Sequence, residues 1–236
     1  IRMSGPAVNA MTLQRPCAAW WGKLPSQGDF VGRRMPHALT MRWDEWLRNG
    51  MDQLRSDAAD NWSTRFVHSP LWFFLCPASI LGQPMVGVIG PSSDRIGRLF
   101  PLAIMATVDG SSGMPASDQD IERFLSGARD ALIDARRLPL SAQQLDERLA
   151  TLQWPFQQDG RAPDSTSIHS LLADLDMGAS QGNAARLPRM DWRACMRPGS
   201  TTSVWWISAT PRHAPDEVVQ HEVLHRRLFT RLFKGA

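Results

Sequence analysis

The chain has 236 residues, 43% of them hydrophobic and 21% charged, which excludes a wholly disordered chain and a long coiled coil and leaves length for one large domain or two small ones. Twenty-six Lys and Arg against 23 Asp and Glu leave a formal charge of +3, too small to make nucleic acid the default partner. Cys17, Cys76 and Cys195 are odd in number and form no CxxC pair, so neither a disulfide framework nor a Cys-based zinc site is indicated, and a reducing cytoplasm fits best.

The first twenty residues lack an apolar stretch behind a basic start, so no secretory signal is expected; residues 1–19 read as a flexible segment and Met11 as the natural initiator. Residues 22–36 read as a polar loop. From Thr40 to about Asp57, Trp43, Trp46, Leu47, Met51 and Leu54 fall on one helical face that should pack on a sheet. Val67 to Ser93 has no Asp, Glu, Lys or Arg, but Pro70, Pro77, Gly82, Pro84 and Gly87 would strand backbone groups in lipid, so no membrane insertion is expected. Leu71 to Cys76, Met85 to Gly90 and Leu99 to Val108 are short apolar runs bounded by turn formers, predicting an antiparallel meander with an exposed turn between the last two.

Ser117 with Asp120 predicts a helix over 118–137, and Ser141 with Gln144 repeats the capping signature before a shorter helix through Leu145, Leu149 and Leu152. Residues 153–190 are loop-rich, interrupted by a short helix from Ile168 to Leu175. Ser203 to Ala209 is a strand, and Pro215 to Phe233 reads as a terminal amphipathic helix. Strands followed by helices and one late strand give an α+β domain over 20–236, a largely antiparallel sheet flanked by helices in a layered sandwich.

Three arrangements carry chemical meaning. His221-Glu222-Val223-Leu224-His225 matches HExxH, which on a helix presents two imidazoles to one zinc ion. The eleven residues after His225 include no His, Asp, Glu or Cys, so a third ligand would have to come from upstream, His213 or His169. Gly22-Lys23 lacks the frame of a phosphate loop, and Leu24 stands where Ser or Thr would hold magnesium. Asp29 and Asp94 would form a carboxylate pair if the fold joined them, but nothing in the sequence does so. With no further nucleophile motif, neither catalysis nor a cofactor or metal is expected.

Five blocks in order, GKLPSQGDFVGRRMP (22–36), the Trp43 and Trp46 pair, SPLW (69–72), GVIGPSSDRIGRLFPLAI (87–104) and SVWW (203–206), resemble the TagF/ImpM family, whose members accompany bacterial type VI secretion systems. The likeness runs from about Trp20 to Trp206; Phe73 departs from it, standing where Arg is expected. The resemblance implies a longin-like, helix-covered antiparallel sheet. It also implies a cytoplasmic post-translational repressor of secretion that binds a forkhead-associated scaffold protein, beside the Thr kinase and phosphatase branch of control.

Carried onto this chain, the resemblance makes Lys23, Asp29, Asp94 and Arg98 the candidates for partner contact, with 22–36 and 91–101 framing the surface. Gly22, Pro25, Gly28, Phe30, Ser69, Pro70, Trp72, Pro91, Ser92, Gly97, Phe100, Pro101, Trp205 and Trp206 are motif residues expected to maintain structure. Ten Trp and a basic complement that is Arg except for Lys23 and Lys234 supply the side chains that anchor interfaces. Three readings of different class follow: a regulatory binding protein, a zinc hydrolase using the HEVLH motif, and a passive accessory component of the apparatus.

Overall fold

The computed structural model describes residues 16–107, 117–156, 185–208 and 213–234. Among them seven strands, β1 (Ala19–Lys23), β2 (Phe30–Arg33), β3 (Trp72–Cys76), β4 (Met85–Ser93), β5 (Leu99–Thr107), β6 (Thr202–Ile207) and β7 (Asp216–His221), form one sheet in the order 2-1-5-4-3-6-7. Every neighbouring pair is antiparallel. The expected meander is its centre: β3, β4 and β5 lie side by side, with β4 and β5 paired from Met85↔Thr107 to Ser93↔Leu99. Because successive side chains of a strand point to opposite faces, Phe73 and Leu75 enter one core while Trp72, Phe74 and Cys76 enter another. Burial on both faces explains why these strands read as continuous apolar runs rather than as alternation.

Helices cover both faces. On one side lie α1 (His37–Ala58), continued by a 3-10 turn into α2 (Trp62–His68), with α3 (Ala78–Leu81) and α7 (Arg226–Phe233). On the other lie α4 (Asp118–Arg137), α5 (Ala142–Leu149) and α6 (Trp192–Met196). The result is an α/β/α sandwich, the layered α+β architecture expected. The capping signatures mark real starts. The Ser117 hydroxyl oxygen accepts from the Asp120 amide at 3.1 Å, and Ser141 with Gln144 forms a reciprocal box of 3.2 and 2.8 Å. All five apolar residues marked on α1 are buried, and Trp43 joins Phe74 and Trp205 in an aromatic cluster with centroids 4.9–6.4 Å apart.

Two expectations are corrected. Pro215 to Phe233 is not one helix: Asp216–His221 pairs with β6 as an edge strand, Glu222 turns the chain at φ +62°, and the helix starts only after His225. The polar loops are partly strand, since Gly22, Lys23 and Phe30 to Arg33 belong to β1 and β2, and the 91–101 connection shrinks to a turn at 94–98. The helix expected at 168–175 lies outside the described residues, as do 1–15 and most of 153–190 (157–184). No helix is long and apolar enough to cross a membrane among the described residues.

Candidate functional site

The two hairpin ends, 23–30 and 94–98, meet at one end of the sheet, and backbone sterics dictate their approach. Gly22 adopts φ +143°, and a Cβ there would stand 2.1 Å from the Pro101 carbonyl oxygen, so only glycine lets β1 lie this close to β5. Pro91 and Pro101 face each other across the β4–β5 ladder. Each lies just beyond the pairing on its strand's other side, which ends at Ile89 and Leu102 respectively, so the missing N–H groups leave no third strand without a partner. Gly97, at φ +84°, closes the 94–98 turn, and the Arg95 amide donates to the Gln27 carbonyl at 2.8 Å, tying one hairpin end to the other.

A buried ion pair fixes this junction. Lys23 Nζ lies 2.9 Å from Asp94 Oδ2, and both residues are almost fully enclosed, 6% and 2% exposed. Arg98 Nε donates to the same oxygen at 2.6 Å, while Oδ1 accepts from the amides of Ile96 and Arg98 at 3.1 and 2.9 Å. Burial pushes the Asp94 carboxyl upward, but the hydrogen bonds from Lys23 and Arg98 outweigh it and hold the group well below the usual carboxylate range. The Ser92 hydroxyl donates to the Lys23 carbonyl at 2.9 Å, and Arg98 Nη2 reaches the Gly28 carbonyl. Lys23 and Asp94 are therefore brought together and almost enclosed, where they set the shape of the junction; Asp94 lies beneath the surface, while Lys23 Nζ also stands 5.3 Å from the Phe30 ring and borders the recess beside it. Arg98 stays half exposed, and Asp29, almost wholly exposed, stands 3.9 Å from it. Arg98 thus separates the two carboxylates that the sequence left unplaced.

Beside the junction runs a groove between the hairpin ends and the α1–α2 layer. Phe30 is its floor, stacked on Trp21 at 5.9 Å and edge-on to buried Phe100 at 4.7 Å. Arg48 lies over the Phe30 ring at 5.5 Å and Arg55 over Trp62 at 5.0 Å. With Arg98 they line a recess of about 620 Å³. Asp44 holds Arg48 at 2.6 Å and Asp52 holds Arg55 at 2.9 Å, which presents both guanidiniums in fixed positions. Arg48, Arg55 and Trp62 escaped the sequence reading, which followed only the apolar stripe of α1. The signal was there: Arg48 and Arg55 are seven residues apart, two turns along one face.

The remaining motif residues hold the scaffold. Trp72 donates from Nε1 to the Leu232 carbonyl at 2.7 Å, Trp206 to the Arg186 carbonyl at 2.7 Å, and Trp205 to the Ser203 hydroxyl at 3.0 Å. Ser69 closes α2 by donating to the Phe66 carbonyl at 2.6 Å, next to Pro70. Pro25 borders a small recess together with Pro91 and Ser92. Phe73, where Arg was expected, is buried 5.7 Å from Trp206. The HEVLH residues do not share a helix face: His221 ends β7, its Nδ1 3.0 Å from the Thr202 hydroxyl, while His225 caps α7 by accepting from the Leu228 amide at 3.1 Å. Among the described residues no three His, Cys, Asp or Glu gather as a metal site.

Comparison with known proteins agrees with this architecture. A family model described as the TagF N-terminal domain, type VI secretion system-associated, matches residues 19–152, more than half of the chain and all of both hairpins. Among solved structures, the chain is similar to PA0076 from Pseudomonas aeruginosa PAO1, with 22% identity, a TM-score of 0.66 and coverage of 92% of this chain and 93% of that one. That likeness extends the common fold past residue 152 to the late strands and the last helix. No curated protein matches.

Proposed function

The chain belongs to the TagF family of type VI secretion-associated proteins, and from that membership we propose that it is a post-translational negative regulator of secretion that binds a forkhead-associated scaffold protein and limits assembly of the apparatus. Sequestration needs a rigid, preformed surface and no turnover, because whatever binds the free scaffold lowers by mass action the amount available for assembly. The observation that supports this reading is the groove: Arg48 and Arg55 over aromatic rings and paired with Asp44 and Asp52, and Arg98 held by buried Asp94 at a junction built from the family's own motif residues. Arg and aromatic anchors in a defined recess are the groups on which binding energy concentrates. The cytoplasm is the compartment in which such a regulator would meet unassembled scaffold.

Secretion measured with the gene deleted and with it overproduced tests the proposal. Secretion should rise in the first case and fall in the second; no change in either removes the repressor reading. Arg48→Glu with Arg55→Glu should abolish both repression and capture of the purified scaffold protein while leaving the fold intact. A protein that instead co-sediments with the assembled apparatus would be an accessory component.

A further inference from the structure

Between the two helical layers the structure holds a second, differently built cleft. Its volume is about 530 Å³, and it lies where the last turns of α4 approach the end of α2 and the start of β3. Arg129, Ile133, Arg136 and Arg137 follow the spacing of one helix stripe and line it together. His68 and His213 add imidazoles, and Phe73, Ile133 and Ile207 make an apolar wall. None of the described lining residues is Asp or Glu.

The charge balance is unusual. Asp130 holds Arg129 at 2.8 Å, and Asp134 is taken by Arg148 on the far side of the helix. Arg136, half-buried, makes no ion pair or hydrogen bond with any described residue, and neither does Arg137 beside it. Burial first, and then the charge of Arg137, disfavour the Arg136 cation, which is the opposite of what a structural ion pair produces. The negative end of the α4 dipole explains why basic residues stand in its last turn, but an exposed arginine would serve that purpose. It does not explain a guanidinium drawn into a cleft without a counter-ion. On β6's side, the Ser208 hydroxyl oxygen is buried with no hydrogen-bond partner among the described residues.

We propose that this cleft binds a phosphate monoester, its oxyanion on Arg136, Arg137 and the Ser208 hydroxyl and its organic part against Phe73, Ile133 and Ile207. A dianion supplies the missing counter-charge for two guanidiniums, and arginine's planar donors suit phosphate oxygens. The volume fits a small ligand or one modified side chain. The site is separate from the Arg48–Arg55–Arg98 groove and does not depend on its function.

Calorimetric titration at fixed ionic strength with phenyl phosphate, inorganic phosphate and benzoate tests it. Phenyl phosphate should bind one site more tightly than either of the others. Arg136→Met should weaken it by about tenfold or more, and the unliganded Arg136→Met protein should melt no lower than the parent, since an uncompensated charge has gone. Arg137→Gln, fully on the rim, should weaken binding with no change in melting, whereas Arg48→Gln in the other groove should leave binding unchanged. A phosphoserine peptide tighter than phenyl phosphate assigns the ester to a protein chain, and a looser one to a small molecule; either supports the site. Undetectable phenyl phosphate binding, affinity that survives both Arg136→Met and Arg137→Gln, or an Arg136→Met protein that loses its fold would each overturn the proposal.

Discussion

Asp94→Asn is the most informative single perturbation of the hairpin junction. The carboxylate accepts four hydrogen bonds, from Lys23 Nζ, Arg98 Nε and the amides of Ile96 and Arg98, and the ammonium it neutralises is only 6% exposed. At 2.9 Å the Coulomb attraction between Lys23 and Asp94 is about 6 kcal/mol for an effective dielectric of about 20, a gross figure that desolvation of both ions reduces. Asparagine removes the charge and leaves one acceptor oxygen for four donors, so either the Lys23 and Arg98 side chains or the two amides face an NH2 group; the Arg98 carbonyl, at 3.4 Å, is the other acceptor near the buried ammonium. A loss of about 3–5 kcal/mol follows, or roughly 6–20 °C in Tm for a chain of this size. Urea denaturation and thermal melts at pH 7 measure it. The pH dependence adds a second readout. Because the folded-state carboxyl lies below its unfolded value of about 3.9, its stabilisation is complete above that pH and disappears as the pH falls toward the folded value. The gap between parent and Asp94→Asn should therefore be widest near neutrality and shrink below about pH 4. Lys23→Met combined with Asp94→Leu should cost much less than the two single changes added together. A cost under about 1 kcal/mol for Asp94→Asn, or a gap that grows in acid, would refute the argument that this pair holds the junction.

Gly22→Ala should cost more than about 4 kcal/mol, because the new methyl would meet the Pro101 carbonyl at 2.1 Å in a conformation L-residues rarely adopt; Gly97→Ala, at φ +84° with open space around it, should cost about 1 kcal/mol. Chemical denaturation of the two variants separates collision from backbone preference. His221→Ala and His225→Ala should leave zinc content unchanged by elemental analysis, and His225→Ala alone should lower stability, by about 1 kcal/mol through loss of the α7 cap. The Cys76 thiol, buried and pushed far above its ordinary value, should react with a disulfide reagent only at the rate of global unfolding, which kinetic thiol labelling reads directly.

Legibility in the sequence followed the range of the interactions concerned. The α4 start was readable because Ser117 and Asp120 are three residues apart and act on each other; the same holds for Ser141 and Gln144. The central strands were readable because burial on both faces leaves an unbroken apolar run. By contrast β1 is five residues and β2 four, too short to show a period, and both are strands because β5 and a glycine contact make room for them. At 216–221 a local pattern misled. His221, His225, Leu228 and Leu232 do fall on one helical stripe, but Val218 packs inward while Glu217 and Val219 face out, the period of two that pairing with β6 imposes. Tertiary context decided between two periodicities that the residues allowed.

The junction shows a different limit. Lys23 and Asp94 are 71 positions apart, so no local rule joins them, and only the family resemblance marked both as belonging to one region. That resemblance could not tell a contact from the support beneath it. In the structure the motif divides by depth. Gly22, Lys23, Asp94 and Phe100 are enclosed and fix where two hairpins end, while Arg98 and the unmarked Arg48 and Arg55 carry the exposed donors. An internal salt bridge is poor at raising stability but good at selecting one arrangement of loops, because the alternatives leave a charge unpaired. On that logic the buried pair and the surface arginines should respond differently to substitution. Changes at Asp94 should weaken partner capture only as far as they unfold the junction, and changes at Arg48 or Arg55 should weaken it with the melting curve unmoved.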